Sequence, residues 1–275
     1  STPISITVEG ANILTRTMII FGQGMIRCHP FAQDEVNALE ANDLKAFDRL
    51  LFSHIGFSVR NGFRSAVLTA TRGCLVPAPV SGPTARYYRK IAWSSAVFAV
   101  LSDLAMAGYG GALKRKEKIT GRLADMLSWM YLASCVLKRY EADNRQAEHL
   151  PYVLWSLDYA MREIQTALEG LLRNMDLPIV GLILRGPVHW LFRANPIGTG
   201  PSDKLGHQVA LPLQKAGAVR DALTENIYIP TAAPEALGRL EAALTLAGQA
   251  APIEATIKAA IRRGDLRKAR VPKLV

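Results

Sequence analysis

A carboxylate next to a glycine, close to the start of the chain, is the residue pair best suited to chemistry. Glu9 and Gly10 follow Val8 and precede the helical pattern that contains Arg16. A glutamate in an apolar pocket has a raised pKa and can act as a general base, and a neighbouring glycine lets a substrate approach the backbone closely. A Glu-Gly pair at a helix start is also typical of a cap or turn, because helix N-termini favour acidic side chains. The pattern alone leaves both interpretations open.

Longer motifs carry a resemblance to a known family. The segment Ile6-Thr-Val-Glu-Gly-Ala-Asn-Ile-Leu-Thr-Arg16 resembles the Glu-Gly-Thr-Asn-x-x-x-Arg segment of the acyl-CoA dehydrogenases. Most of residues 1–270 resembles the C-terminal extension of the large bacterial acyl-CoA dehydrogenases of fatty-acid β-oxidation. This second resemblance depends on Phe21-Gly-Gln-Gly-Met-Ile-Arg-Cys-His-Pro30, Gly111-Ala-Leu-Lys-Arg115, Gly121-Arg-Leu-Ala-Asp-Met-Leu-Ser128, Tyr131-Leu-Ala-Ser-Cys-Val-Leu-Lys-Arg-Tyr140 and Pro201-Ser-Asp-Lys-Leu-Gly-His207.

The resemblance implies a flavoprotein oxidoreductase in which the glutamate is the catalytic base. Glu9 would remove the α-proton of a medium- or long-chain acyl-CoA thioester, while N5 of FAD takes the β-hydrogen as hydride, leaving trans-2-enoyl-CoA. The resemblance also implies that the backbone N–H of Glu9 and a ribityl hydroxyl of the flavin donate hydrogen bonds to the thioester carbonyl, which stabilises the enolate charge. Glu9 would therefore act through its side chain and through its amide.

The resemblance places four further residues next to substrate or cofactor. Gly10 would keep the space beside the thioester open. Ala11 departs from the family, which commonly has a threonine in contact with the flavin, so that hydrogen bond is absent or supplied elsewhere. Asn12 and Arg16 match the family pattern. For Arg16, a contact with flavin or a partner subunit and a surface salt bridge both stay open.

The resemblance also implies partners: an acyl-CoA substrate, an electron-transferring flavoprotein as oxidant, and a second copy of the chain in a homodimer. The chain starts Ser-Thr-Pro without a methionine, so we expect a part of a longer protein. The domains that hold most of the FAD and the CoA would precede it. We therefore expect this part alone neither to retain FAD nor to turn over acyl-CoA.

The charge favours an anionic partner without identifying it. The net charge is +10, from 33 Lys and Arg against 23 Asp and Glu. Nucleic acid is excluded as a partner, because the cations are dispersed over helices that also carry acids and lack interleaved aromatic residues. The cations at 114–118 predict either a solvated face or a contact with CoA phosphates or acidic residues of the dehydrogenase body. The basic run from Lys258 to Lys273, with Ile253 and Ile257 on its other face, predicts either an anionic membrane surface or a soluble tail.

Cysteine and histidine spacing excludes other classes of site. Three widely separated cysteines indicate a reducing compartment rather than a disulfide framework, and we expect a cytoplasmic protein, or one peripheral on the inner face of the bacterial plasma membrane. Five histidines without ligand spacing predict no metal site. The apolar segment 92–109 is interrupted by Asp103, so we expect no membrane span.

Helical periodicity dominates the chain and predicts an all-α helical bundle. Helices are expected over 12–26, from a cap at Asn42 or Asp43 to Gly73, and over 84–108, 113–142 and 151–175, with the third and fourth forming an antiparallel hairpin. Short helices and loops follow 178, and two last helices are expected at 234–247 and 252–263. The segment 74–83, with three prolines, predicts a boundary between the end of the dehydrogenase catalytic α-domain, 1–73, and a C-terminal extension, 84–275. A helical interaction module without chemistry, in which Glu9 is only a cap, is the alternative.

Overall fold

The computed structural model describes residues 13–230 and 235–267, and these residues form helices without a strand. The predicted all-α class is confirmed. The chain forms two compact units, Ser1–Pro201 and Ser202–Val275. The helices of the first unit are α1 (Thr15–Gln23), α2 (Gly24–Cys28), α3 (Ala32–Glu40), α4 (Leu44–Thr71), α5 (Ala85–Tyr109), α6 (Glu117–Ala142), α7 (Leu150–Asn174), α8 (Val180–Ile183) and α9 (His189–Ala194).

The core of the first unit is built mainly by α5, α6 and α7. Apolar residues recur every three or four positions along α6 and α7, so each helix buries one continuous stripe against the other. α5 and α6, the predicted hairpin pair, pack together across the tighter helical turn Gly110–Arg115. The fully buried side chains include Trp93, Leu123, Met126, Leu137, Leu157, Met161, Ile164, Leu168 and Leu171.

α4 begins and ends where the sequence predicts. The side chain of Asp43 accepts a hydrogen bond from the backbone N–H of Ala46 at 3.0 Å, which is an N-terminal cap. At the other end the backbone turns left-handed, with φ 55° at Arg72 and φ 74° at Gly73. A Cβ at Gly73 would lie 2.7 Å from the carbonyl oxygen of Arg89. Glycine is therefore required there both by the backbone conformation and by the close approach of α5.

The first predicted helix, 12–26, corresponds to two consecutive helices of different type. α1 is a π-helix, and α2 continues it as an α-helix to Cys28, just before His29 and Pro30. α1 packs along α6, and Phe21 contributes its ring to the core with the side chain 1% exposed. α3 was not predicted, because its sequence is largely polar and only Ala38 is buried.

By length and composition alone, one helical stretch among the described residues, Ala85–Arg115, is apolar enough to cross a membrane. The core helix of a soluble protein has the same composition. Within the first unit, Tyr87, Trp93, Ala96 and Ala105 of α5 are buried among the neighbouring helices.

The second unit contains α10 (Asp203–Leu213), α11 (Ala218–Thr224) and α12 (Ala236–Arg263). The prediction of two separate last helices was wrong, because α12 runs through Pro252 without a break. A proline removes one helical hydrogen bond, and the alanine-rich sequence on both sides of it favours the helix strongly enough to continue. The second of these two predicted helices, 252–263, lies entirely inside α12.

The predicted domain boundary at 74–83 separates α4 from α5, and these two helices pack against each other within the first unit. The assignment of 1–73 and 84–275 to different domains stays a prediction.

Candidate functional site

The structure describes one of the five predicted site residues. Glu9, Gly10, Ala11 and Asn12 lie outside the described residues. Arg16 lies in the first turn of α1, and its guanidinium reaches α6. The Nε and Nη2 atoms of Arg16 donate to Oδ1 and Oδ2 of Asp125, so both carboxylate oxygens accept from one planar fork. These hydrogen bonds raise the pKa of Arg16 above its ordinary value.

A glycine on α6 makes room for the Arg16 guanidinium. Gly121 lies one turn before Asp125, on the same face of α6. A Cβ at Gly121 would lie 3.3 Å from Nη1 and 3.4 Å from Cζ of Arg16. The guanidinium therefore lies directly outside the space that a side chain at position 121 would begin to fill, and Asp125 holds it through both carboxylate oxygens. Of the two alternatives for Arg16, the structure contains the salt bridge.

Phe21 provides the second attachment of α1. Its ring meets the ring of Phe98 from α5 edge to face, with centroids 6.1 Å apart. Arg16 and Phe21 therefore attach α1 to α6 and α5 respectively. The helix that follows the proposed base is fixed at two points on the bundle.

A polar cluster that the sequence analysis missed lies between α3, α4 and α5. Asp103 accepts from the Ser58 hydroxyl at 2.7 Å and lies 3.2 Å from Nε2 of His29. Nδ1 of His54 lies 2.9 Å from a carboxylate oxygen of Glu35, and the centroids of the His29 and His54 rings are 4.5 Å apart. These residues come from four separate parts of the chain, so no local spacing identifies them.

The cluster brings His29, His54 and Asp103 close enough to hold a metal ion, with donor atoms within 4.8 Å of one another. The fold therefore brings together three side chains that show no metal-ligand spacing along the sequence. Nδ1 of His29, however, accepts from the backbone N–H groups of Phe31 at 3.3 Å and Ala32 at 3.1 Å. This places the proton of the neutral ring on Nε2, which then donates to Asp103 and offers no lone pair to a cation. Burial, followed by the neighbouring His54, lowers the pKa of His29.

The cluster forms part of the wall of a cavity of about 540 Å³. Most of the wall is aliphatic, with contributions from α2 to α5, and Glu35, His54, Ser58 and Asp103 supply the polar groups. Apolar walls with a few convergent polar groups are typical of small-molecule sites.

The other basic candidates are only partly described. Lys114 and Arg115 lie in the turn before α6, and the ammonium of Lys116 lies 5.5 Å from the centre of the Tyr109 ring. Near the end of α12, Lys258 pairs with Glu254 at 3.2 Å and Arg263 with Asp265 at 2.9 Å. The C-terminal cations Lys268, Arg270 and Lys273 lie outside the described residues.

Comparison with known proteins agrees with the helical architecture and with the motifs. Residues 26–275 match the family described as acyl-CoA dehydrogenase, C-terminal, bacterial type. No solved structure matches the chain. The match begins within α2 and covers every later helix that the structure describes. The chain therefore belongs to the bacterial-type acyl-CoA dehydrogenase C-terminal family.

Proposed function

We propose that the chain is the C-terminal part of an FAD-dependent dehydrogenase that oxidises medium- or long-chain acyl-CoA to trans-2-enoyl-CoA in fatty-acid β-oxidation. The observation that carries the proposal is the combination of the family match over 26–275 with the Glu9-Gly10-x-Asn12 motif just before α1. The attachment of α1 to the bundle through Arg16 supports it, because a catalytic base needs a fixed support.

The proposed reaction breaks two C–H bonds and forms one C=C bond. The Glu9 carboxylate takes the α-proton, and the electron pair of that bond becomes part of the new double bond. FAD, when bound, accepts the hydride that leaves the β-carbon. The backbone N–H of Glu9 donates to the thioester carbonyl, where negative charge develops as the proton leaves. The proposed reaction requires water to be excluded around the Glu9 carboxylate, because a solvated carboxylate is too weak a base to take the α-proton.

The residues around α1 fit a supporting role toward FAD rather than direct binding. Two N–H groups of Arg16 donate to Asp125, and Nη1 faces Gly121 across a short distance. The guanidinium is therefore engaged with α6 and holds the segment in place. We propose that FAD is held mainly by domains that precede the C-terminal part, with Gly10, Ala11 and Asn12 adjacent to the flavin or the thioester.

The test is the variant Glu9→Gln in the full-length dehydrogenase. A glutamine cannot take the proton, so reduction of bound FAD by acyl-CoA should slow by about 10²-fold to 10⁴-fold or more, the range that a general base contributes. FAD content should stay at the wild-type level. Glu40→Gln, at the end of α3, is the matched control and should reduce flavin at the wild-type rate. Unchanged reduction in Glu9→Gln would contradict the proposal.

The proposed partners follow from the same assignment. They are an acyl-CoA, an electron-transferring flavoprotein as oxidant, and a second copy of the chain in a homodimer. We further propose that the protein is cytoplasmic and meets the inner face of the bacterial plasma membrane through the basic end of α12. Exposed Ile253 and Ile257 beside Lys258, Arg262 and Arg263 support this contact.

The second candidate function is a helical interaction module without chemistry. It is favoured by exposed apolar side chains along α4, where Phe52 and Phe63 are 72% and 73% exposed. Exposed aromatic residues on one helix face are typical of a surface that contacts another protein. The Glu9→Gln experiment separates the two functions, because an interaction module has no flavin reduction to lose.

A further inference from the structure

The attachment of α1 to α6 is built from two residues of α6 that do not belong to the Glu-Gly motif. Gly121 provides the space in which the Arg16 guanidinium lies, and Asp125 holds it through both oxygens. The two positions are one turn apart and share a face of α6. They lie 105 and 109 residues after Arg16 in the chain, so the contact is purely tertiary.

Because α1 is a π-helix, Arg16 can bind to α6 while Phe21 of the same helix enters the core. Arg16 and Phe21 are five residues apart, and in an α-helix such residues point about 140° away from each other. In a π-helix the repeat is i to i+5, so the two side chains fall close to one face. α1 is wound as a π-helix over Thr15–Gln23. Arg16 can therefore reach α6 while Phe21 enters the core beside Phe98.

The position of α1 limits where Glu9 can lie. Glu9 is four residues before Ile13, the first described residue, and four residues span at most about 14 Å. A shift or rotation of α1 would therefore be expected to displace the base. Proton transfer requires a base placed within hydrogen-bond reach of the proton, so small displacements have large effects on rate.

We propose that Asp125 and Gly121 are positioning residues for the dehydrogenation: by fixing Arg16 against α6 they set the orientation of α1 and, through it, the placement of Glu9. The inference rests on the proposed function. Both residues would act through Arg16, which they contact or adjoin. The helical part of the chain that carries α6 thus takes part in catalysis by supporting the base.

If the Arg16–Asp125 pair only stabilised the fold, its loss would lower the rate of flavin reduction only as far as it lowers the amount of folded protein. Arg16 and Asp125 are 47% and 29% exposed, and exposed ion pairs contribute little to the free energy of unfolding. Loss of the pair should therefore leave the fold and the melting temperature nearly unchanged. If the pair positions Glu9, the rate of flavin reduction should fall although the stability does not.

The first experiment compares two Asp→Asn variants in the full-length dehydrogenase, one within α6 and one directly after it. Asp125→Asn should lower kcat for the reduction of bound FAD by about tenfold or more, with KM for acyl-CoA and FAD content within twofold of wild type. The matched control is Asp143→Asn, which changes the same residue type directly after the end of α6, where the carboxylate meets Arg139 at 2.9 Å. It should leave kcat unchanged.

Two further variants keep the test decisive if Asp125→Asn folds poorly. Gly121→Ala improves the helix propensity of α6, and its Cβ would shift the Arg16 guanidinium by only a few tenths of an ångström, so kcat should fall by less than in Asp125→Asn while the melting temperature is equal or higher. The double variant Arg16→Asp/Asp125→Arg restores opposite charges and should recover part of the kcat that Arg16→Asp alone loses. A merely structural role predicts no such separation of kcat from stability.

The outcomes separate a failure of the positioning role from a failure of the proposed function. If Glu9→Gln abolishes flavin reduction while Asp125→Asn and Gly121→Ala both keep the wild-type kcat, the positioning role is wrong and the proposed function stands. If Glu9→Gln itself reduces flavin normally, the proposed function fails first. A loss of FAD content or of folded protein that accounts for the whole decrease in kcat would also contradict positioning.

Discussion

At the residue scale, the histidine cluster shows how hydrogen bonding fixes a protonation state. Protonation of His29 would direct an N–H at Nδ1 toward the backbone N–H groups of Phe31 and Ala32. Burial and the nearby His54 oppose the charge, and the carboxylates of Asp103 and Glu35 favour it only in part, so the pKa of His29 is lowered. His29 is therefore held neutral as a donor to Asp103.

This lowered pKa predicts a dependence of stability on pH. Below the unfolded pKa of His29, about 6.5, the unfolded chain binds a proton that the folded chain resists, so the free energy of unfolding falls as the pH is lowered. We expect a decrease between pH 7 and pH 5.5 that is well below the limit of about 1.4 kcal/mol per pH unit for one full proton. Denaturant titrations at several pH values measure it, and His29→Asn should flatten the dependence. His207→Asn, at an exposed position of α10, is the control; an equal flattening by both variants would contradict the assignment.

The same residues show where sequence reasoning reaches its limit. Caps and turns were predictable, as at Asp43 and Gly73, because their signals lie within a few residues of the structure they determine. The partner of Arg16 lies 109 residues away, and nothing local indicates it. His29, His54 and Asp103 meet only because α4, α5 and the loop before α3 converge, so each residue alone carried no signal.

At the element scale, α1 is stabilised by what it buries rather than by its winding. Its π-helical geometry is rare, and such helices need tertiary contacts to persist. Phe21 supplies the main apolar contact, since its side chain is buried against the α5 and α6 core. The same contact seats the helix that follows the proposed base.

Truncation of this anchor should be strongly destabilising. Phe21→Ala removes a buried ring and leaves a cavity beside Phe98, so we expect a loss of about 3–5 kcal/mol in the free energy of unfolding. Phe63→Ala removes the same group from an exposed position on α4 and should change the free energy by less than about 0.5 kcal/mol. Chemical denaturation followed by circular dichroism measures both. Equal effects of the two variants would show that Phe21 is not a core residue.

The errors at this scale have simple physical causes. α12 continues through Pro252, because favourable residues on both sides outweigh one lost hydrogen bond and the steric clash of the ring. α3 was missed because a polar helix with a single buried residue has no apolar stripe to detect. The long helices α4 to α7 were predictable, since each carries a periodic apolar stripe over many turns.

At the scale of the whole molecule, the net charge of +10 is the property that the helices alone do not explain. Cations on exposed helix faces keep a protein soluble, and they also attract it to anionic surfaces within a Debye length. α12 combines exposed cations with exposed isoleucines and has no buried residue among those described. A helix of this kind has apolar and basic groups available for a surface outside the protein.

We therefore expect the protein to float with vesicles that contain anionic lipid and to stay unbound with neutral vesicles. Each Lys or Arg near an anionic surface contributes about 1 kcal/mol, so Lys258→Gln/Arg262→Gln/Arg263→Gln should weaken binding about 100-fold. The control Lys45→Gln/Arg49→Gln/Arg64→Gln removes the same charge from exposed positions on α4 and separates local contact from net charge. Equal weakening by both triple variants would assign binding to net charge alone. Equal recovery of the wild type in the unbound fraction with both lipids would remove the membrane contact, since attraction to an anionic surface is what these cations would supply.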